Sequence, residues 1–417
     1  MSRKITDLFL VGVLMMALGV LGCSRVEVQQ KSEETDVAPL EHTATLRFPT
    51  QTPTEEVDMA TSEPTVVLPV SALKIRGVDI SSLPQVEDKG GVFYNADGQA
   101  QDIFEILAAH GVNYVRLKLW HTPKNGYNNL EKVKAMAVRI KQAGMGFLLD
   151  FHYSDTWADP GKQYKPLAWW DYDDEQLRAA VYDYTKEAIV ALREQGTAPD
   201  IVQIGNEITN GMLWDAGKLD GSDDQFARLA GLLKAGIAGV KDAGCSAKIM
   251  LHLDKGGNND LYRWWFDNII AEGVEFDIIG LSFYGYWHGD LSALAANLTD
   301  LAQRYNKELI VVETAYAYTL ANQDGYGNII SQEDQLIDGY PATVEGQSAW
   351  LRDIMQVVKD APGATGVFYW EPAWLGLKGC GWNPADPQSG NAWENQALFD
   401  FDGHVLPSLG VFREFAE

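Results

Sequence analysis

The sequence predicts an α/β protein in which a single (β/α)8 TIM barrel follows a signal peptide and a disordered tether. Short β-rich runs alternate with helical patterns eight times from residue 75 to the end of the chain, and eight such units close naturally into a barrel of parallel strands. A doubly wound open sheet is the alternative. No glycine-rich phosphate loop follows the first strand, so the barrel is favoured.

The predicted strands are short runs rich in aliphatic and aromatic residues. In chain order they are Ile75–Ser81, Asn113–Trp120, Gly146–Tyr153, Ile201–Ile208, Lys248–Leu253, Phe276–Tyr284, Glu308–Glu313 and Thr365–Trp370. Predicted helices between them include Leu130–Ala143, Asp174–Glu194, Gln225–Ala243 and Leu291–Tyr305. Gly111 and Gly144 stand just before the second and third strands, where the end of a preceding helix favours glycine.

The first 22 residues are typical of a secretory signal. Arg3 and Lys4 precede an apolar run from Leu8 to Leu21, which is too short to span a bilayer comfortably. The string Val20-Leu21-Gly22-Cys23 resembles a bacterial lipobox, in which cleavage leaves a lipidated Cys23 at the new N-terminus. We therefore expect an exported, membrane-anchored or cell-surface bacterial lipoprotein; a plain signal peptide with an incidental cysteine is the alternative.

Residues 23–74 are predicted to form the lipidated cysteine and a flexible linker. The stretch from 24 to 70 has many Thr, Pro and Glu residues and Phe48 as its one aromatic residue. Such a segment cannot bury enough apolar surface to offset the entropy of ordering it. A small extra module is the alternative. The catalytic barrel is expected to occupy residues 75–417.

The amino-acid composition excludes some classes of binding partner. The 417 residues carry 33 Lys and Arg against 58 Asp and Glu, a net charge of −25, which argues against nucleic acids and anionic membrane surfaces. The only expected membrane contact is the N-terminal lipid. Thirteen Trp and seventeen Tyr suggest surfaces that grip flat apolar ligand faces, including those of sugars. Cys245 and Cys380 are expected at opposite ends of the barrel and therefore as free thiols.

Each predicted strand ends in polar or aromatic residues that can bind a ligand. The carboxyl ends of all eight strands meet at one mouth of the barrel, where barrel enzymes have their active sites. The residues at these ends are Asp79, Arg116, His152, Asp155, Asn206, Glu207, His252, Tyr284, Glu313, Trp370 and Glu371. Glu207 and Glu313 end the fourth and seventh strands, on opposite sides of the mouth. Paired carboxylates without metal-ligand histidines suit glycosidic bond cleavage. Arg116 is placed to keep Glu313 ionised, which leaves Glu207 as the protonated acid.

Five longer strings carry a family resemblance. They are residues 76–82 (RGVDISS), 150–160 (DFHYSDTWADP), 204–208 (IGNEI), 311–316 (VVETAY) and 368–374 (FYWEPAW). Through these strings the chain from Ile75 to Phe415 resembles glycoside hydrolase family 53, the endo-β-1,4-galactanases. One departure is Lys118, where the family often has a second arginine; we expect this side chain to face outward or towards a distal loop.

The resemblance implies a retaining double displacement, with Glu207 as acid/base and Glu313 as nucleophile and their carboxyl groups about 5–5.5 Å apart. The resemblance also implies that Asn206 hydrogen-bonds the sugar 2-hydroxyl and that Arg116 and Tyr284 orient the nucleophile. It implies that His152 lines the same subsite and that Trp370 forms the apolar floor beneath the sugar ring. Asp79, Asp155, Trp157 and Trp374 are assigned to neighbouring subsites. For Asp79, anchoring of the barrel mouth is an equal alternative.

The implied activity is that of an arabinogalactan endo-β-1,4-galactanase acting on galactan or type I arabinogalactan, the side chains of pectin, as a monomer. The alternatives are another barrel endo-β-glycanase, acting on mannan or xylan, and a non-catalytic surface glycan-binding protein. Catalysis is expected to need no cofactor. Bacterial relatives can carry a structural calcium ion, for which Asp324 and Asn328 are the candidate ligands; turn-forming residues explain the same string without an ion.

Overall fold

Eight parallel strands close into a barrel in the computed structural model, which describes residues 72–386 and 388–416. They are β1 (Ile75–Asp79), β2 (Tyr114–Leu119), β3 (Gly146–Phe151), β4 (Ile201–Ile204), β5 (Lys248–Leu253), β6 (Ile278–Ser282), β7 (Glu308–Thr314) and β8 (Ala364–Trp370). Each strand pairs with its neighbours in sequence, and β1 closes the ring against β8. The predicted fold class is confirmed.

Helices follow the strands around the outside of the barrel. They are α1 (Leu83–Asp88), α2 (Ile103–Ala109), α3 (Leu130–Gln142), α4 (Asp174–Glu194), α5 (Gln225–Asp242), α6 (Asn259–Ala271), α7 (Leu291–Tyr305), α8 (Val344–Asp360) and α9 (Val411–Glu414). Side-chain caps fix several starts: Asp173 and Gln176 form a capping box on α4, and Asp290 accepts from the Ala293 backbone on α7. Such caps satisfy amide groups that a helix start leaves unpaired.

The barrel interior changes from apolar to polar along the strands. Alternate residues of a barrel strand face inward, and one buried apolar cluster of strand residues is formed by Ile75, Leu148, Ile201, Met250, Ile278, Ile310, Val312 and Phe368. Two residues further along β3 and β4, the inward positions carry polar side chains: Asp150 follows Leu148 and Gln203 follows Ile201, and both are fully buried. This polar layer lies directly beneath the mouth.

The predicted fourth strand is four residues too long. It ends at Ile204 rather than Ile208, because the positive φ angles of Gly205 (84°) and Glu207 (46°) end the extended conformation at the mouth of the barrel. A short 3-10 turn, Ile208–Asn210, follows at once. Glu207 therefore sits on a sharp turn fixed at one end by a buried strand.

Cys245 and Cys380 are free thiols, as predicted. Among the described residues, no helix is both long and apolar enough to cross a bilayer. The predicted signal peptide at residues 1–22, the lipid site at Cys23 and the linker up to residue 71 lie outside the described part of the chain.

Candidate active site

Arg116 on β2 is the centre of the polar layer. Its five N–H groups donate to Gln203 Oε1 (3.3 Å), Asp79 Oδ2 (2.9 Å), Glu313 Oε1 (2.7 Å), Asp150 Oδ2 (2.9 Å) and Asn206 Oδ1 (2.7 Å). Burial lowers the pKa of Arg116, but the three surrounding carboxylates outweigh burial and raise that pKa above its ordinary value. The guanidinium is fully used by protein acceptors, so it orients the site rather than donating to a substrate.

Glu313, near the end of β7, is held at both carboxylate oxygens. Oε1 accepts from Arg116, and Oε2 accepts from the Tyr284 hydroxyl at 3.1 Å. Burial raises the pKa of Glu313, and Arg116 opposes that rise. The carboxylates of Asp79 and Asp150 add to the rise, so the net direction is upward rather than the depression expected from Arg116 alone.

Glu207 has the stronger hold on a proton. Burial raises its pKa well above the ordinary value, and the charges of Glu313 and Asp254 raise it further. Glu313 has a guanidinium against it, whereas the main influences on Glu207 are burial and these two carboxylates. When the two glutamates share one proton, that proton therefore resides on Glu207.

Asn206 offers one hydrogen-bond donor to the mouth. Its Oδ1 accepts from Arg116 and from Gln203 Nε2 (3.1 Å) and lies 2.9 Å from His252 Nδ1, while its Nδ2 donates to the Ala158 carbonyl at 2.9 Å. An amide nitrogen carries two N–H groups, and within the described residues the second has no protein acceptor. Because Asn206 lines the cavity, that N–H is available to a sugar hydroxyl.

His152 follows β3 and lines the same cavity. Its Nδ1 lies 3.1 Å from both Trp120 Nε1 and the Ala158 amide, which donate to it. Nε2 lies 3.0 Å from Asp150 Oδ2. We assign the ring proton to Nε2, because Nδ1 accepts twice. Asp150 thus joins His152 to Arg116, a role that sequence reasoning did not assign to it.

Asp79 and Asp155, which were predicted to form neighbouring subsites, do not line the cavity. Asp79 is fully buried and accepts from the Ser81 amide (3.0 Å) and hydroxyl (2.5 Å) as well as from Arg116. Its geometry fits the anchoring alternative. Asp155 accepts from the Thr122 and Leu167 amides, each at 2.8 Å. It joins the loops after β2 and β3, and neither carboxylate lines the cavity.

The expectation that Lys118 faces outward is wrong. It lies two residues beyond Arg116 on β2 and so shares the interior face. Only 2% of it is exposed, and its Nζ donates to Glu371 Oε1 at 2.8 Å. Nζ also lies 4.3 Å from the ring centroid of Trp157. The two-residue alternation that places Arg116 inward would have predicted this position.

The cavity above the two glutamates has a volume of about 280 Å³ and an aromatic wall. Five tryptophans line it: Trp157, Trp287, Trp370, Trp382 and Trp393. Trp370 packs nearly perpendicular to Trp393, at 4.8 Å between centroids, and Trp157 stacks on Trp382 at 5.1 Å. Trp374 does not line the cavity; it is buried behind Trp382, at 5.4 Å between centroids. A flat-faced, neutral ligand suits this wall.

Sequence reasoning missed Trp287, in the loop after β6, as well as the pair Trp382 and Trp393. Both members of the pair belong to the long segment after β8, whose path no strand or helix period fixes. Its richness in tryptophan was the one available signal.

The two predicted calcium ligands, Asp324 and Asn328, differ in whether their oxygen atoms already accept hydrogen bonds. Asp324 accepts from the Tyr326 amide (2.7 Å) and the Asn391 amide (2.6 Å), so both of its oxygens are used. Asn328 Oδ1 and Glu394 Oε2 are buried acceptors with no partner in the described residues. No cluster of three or more His, Cys, Asp or Glu side chains able to hold a metal occurs in the part of the chain that the structure describes. Calcium binding near Asn328 therefore remains a prediction.

Two glutamates, Glu207 on the turn after β4 and the buried Glu313 near the end of β7, lie beneath an aromatic cavity in a (β/α)8 barrel. This arrangement defines a barrel glycoside hydrolase. The chain belongs to glycosyl hydrolase family 53, whose family model matches residues 75–412.

Relatives match the barrel over most of their length. An uncharacterised protein of Niallia circulans is 47% identical over 345 residues, covering 81% of this chain and 93% of that protein. The endo-beta-1,4-galactanase of Bacillus subtilis is 37% identical over 374 residues, covering 81% and 85%. The solved catalytic domain of the family 53 enzyme from Ignisphaera aggregans superposes with a TM-score of 0.79 at 42% identity, covering 85% of this chain and 99% of that domain.

Proposed function

We infer that the protein is an endo-β-1,4-galactanase, which hydrolyses internal β-1,4-galactosidic bonds of galactan and of type I arabinogalactan. The observation that carries this inference is the pair Glu207 and Glu313, set in intact family motifs. Of the two, Glu313 is held by Arg116 and Tyr284. The galactan specificity rests on family membership and on relatives named as galactanases.

In the first step, the Glu313 carboxylate attacks the anomeric carbon while the Glu207 carboxylic acid protonates the departing glycosidic oxygen. A covalent galactosyl ester forms at Glu313. Arg116 and Tyr284 keep the attacking carboxylate in one orientation, so little ordering entropy remains to be lost at the transition state.

In the second step, Glu207 acts as a base towards water. Once Glu313 is esterified its negative charge is gone, and one cause of the raised pKa of Glu207 disappears with it. Glu207 has by then given its proton to the leaving group, so it can take a proton from the water that attacks the ester. The free N–H of Asn206 is the candidate donor to the 2-hydroxyl, a bond that strengthens towards the transition state.

The test is to incubate the purified protein with galactan, mannan and xylan and to measure the reducing ends released. We expect release from galactan. Release from mannan or xylan alone would favour another endoglycanase, and binding without release from any of the three would favour a non-catalytic glycan-binding protein. Glu313→Ala should lower turnover by several orders of magnitude with an unchanged circular dichroism spectrum; near wild-type activity would contradict its role as nucleophile.

We also propose that the enzyme is exported as a lipoprotein anchored through Cys23 and that it acts as a monomer. The lipobox-like string Val20–Cys23 supports the first point. Metabolic labelling with a fatty acid should mark the wild type and not Cys23→Ser, and light scattering should give the mass of one chain. If calcium binds near Asn328, its contribution is to stabilise the loops after β7 and β8, and the catalytic steps do not involve it.

A further inference from the structure

Exposed apolar side chains are concentrated in one loop outside the cavity. The segment between β3 and α4 carries Tyr164, Leu167, Trp170 and Tyr172, whose exposed fractions are 51%, 80%, 61% and 38%. We name these four residues the loop patch. Large apolar groups grouped on a soluble protein surface mark interaction sites more often than single ones do.

The most exposed part of the loop patch is held rigidly. Leu167–Trp169 is a 3-10 turn, in which side chains three positions apart lie on the same side, so Leu167 and Trp170 present one surface. Trp169 turns inward, 5% exposed, and packs 4.8 Å from the His121 ring. The Leu167 amide donates to Asp155 Oδ2 at 2.8 Å. A ligand that binds Leu167 and Trp170 therefore needs little ordering of the loop backbone that carries them.

The loop patch belongs to the same loop that lines part of the catalytic cleft. Asp159 and Pro160, earlier in the same loop, line the cavity. Gln163, next to Tyr164, is almost fully buried, and its Nε2 donates to the Asn206 carbonyl at 2.7 Å. The backbone that carries the acid/base is thus joined to the base of the patch.

The negative charge of the protein indicates which kind of ligand can bind the loop patch. The chain has a net charge of −25, and four exposed acidic residues flank Tyr172 of the patch: Asp171 before it and Asp173, Asp174 and Glu175 after it. A second copy of the protein or an anionic surface would be repelled. A neutral polysaccharide carries no charge and can place the apolar faces of its sugar rings on the exposed aromatic rings.

We propose that the loop patch is a second galactan-binding surface, which holds a distant part of the polymer that is being cut in the cleft. This inference rests on the proposed galactanase function. Tethering through a second site raises the local concentration of the polymer at the cleft without any new catalytic contact. Its contribution should therefore depend on chain length: large for polymeric galactan, and absent for an oligosaccharide that fills the cleft alone.

The test compares Trp170→Ala, Leu167→Ala/Trp170→Ala and a matched control, Trp264→Ala, which removes an equally large exposed ring from the outer helix α6. Retention is measured by native electrophoresis through gels containing galactan, in a Glu313→Ala background that prevents hydrolysis. KM and kcat are measured on polymeric galactan and on a short chromogenic galacto-oligosaccharide.

We expect both patch variants to be retained less strongly, because only the cleft still binds the polymer, and to raise KM for the polymer by about three- to tenfold. Their kcat and their hydrolysis of the short substrate should be unchanged. Trp264→Ala should behave as wild type. Wild-type retention and KM in both patch variants would overturn the proposal. So would light scattering that shows a wild-type dimer converted to a monomer by Trp170→Ala with retention unaltered. A wild-type enzyme that releases nothing from galactan would overturn the galactanase function itself, a different outcome from the failure of the patch alone.

Discussion

Replacing Lys118 by methionine tests the buried ion pair beneath the tryptophan wall. The change keeps a long apolar side chain and removes the cation. Glu371 is fully buried, and without Lys118 its remaining partners are the Ser82 hydroxyl at 2.5 Å and the Ser82 amide at 3.2 Å. Removing one member of a buried pair and leaving the other charged costs about 3–5 kcal/mol.

That free energy converts into a measurable melting shift. With an unfolding entropy of about 2.1 cal/mol/K per residue, a barrel spanning residues 75–417 changes its Tm by about 1.4 °C for each kcal/mol, so Lys118→Met should lower Tm by about 4–7 °C. Burial raises the pKa of Glu371 and Lys118 lowers it. Without the lysine, the pKa of Glu371 rises further. A protonated Glu371 needs no cation, so the deficit should be largest at neutral pH and shrink as the pH falls through that raised value.

The assay is thermal unfolding of wild type, Lys118→Met, Glu371→Gln and the double variant at neutral and acidic pH. In the double variant the buried charge is gone as well, so we expect it to be more stable than the sum of the two single losses predicts. Lys118→Arg, which keeps the charge, is the control. A loss below about 1 kcal/mol for Lys118→Met, a loss independent of pH, or strictly additive losses would refute the reasoning.

Three further predictions follow from the site. Glu207→Gln should reduce the cleavage of galactan far more than that of an aryl galactoside, because a good leaving group needs no acid; equal losses on both substrates would contradict the assignment. Trp370→Ala should raise KM for galactan by about tenfold with a smaller change in kcat, because it removes part of the apolar wall of the cavity rather than a reacting group. Initial rates measure both constants, and an unchanged KM would exclude a contact between Trp370 and the sugar. Excess chelator should lower Tm without changing kcat if calcium occupies the Asn328 region, and a Tm unaffected by chelator and by added calcium would reject that site.

The barrel and the two glutamates could be predicted because both depend on short-range patterns. The alternation of strand and helix fixes the fold, and a carboxylate that directly follows a buried apolar strand can only emerge at the mouth. The bounds of α4 and α7 were predicted to the residue, because polar caps mark their starts.

The partners of each side chain could not be predicted in the same way. Asp155 lies in a motif shared with the family, yet it supports a turn rather than the cavity, a distinction that depends on where two loops meet. Trp382 reaches the cavity through a long segment without periodic structure. Lys118 was the avoidable error, since its register with Arg116 was readable from the strand.

The Arg116 hydrogen bonds have a consequence for which sugars the mouth can accept. One guanidinium faces three carboxylates, those of Asp79, Asp150 and Glu313, so the mouth keeps an excess of negative charge when the nucleophile is ionised. That field favours the positive charge that develops on the sugar ring during cleavage. The same field repels uronic acids. We therefore expect the mouth to favour neutral galactosyl units over uronic acid residues.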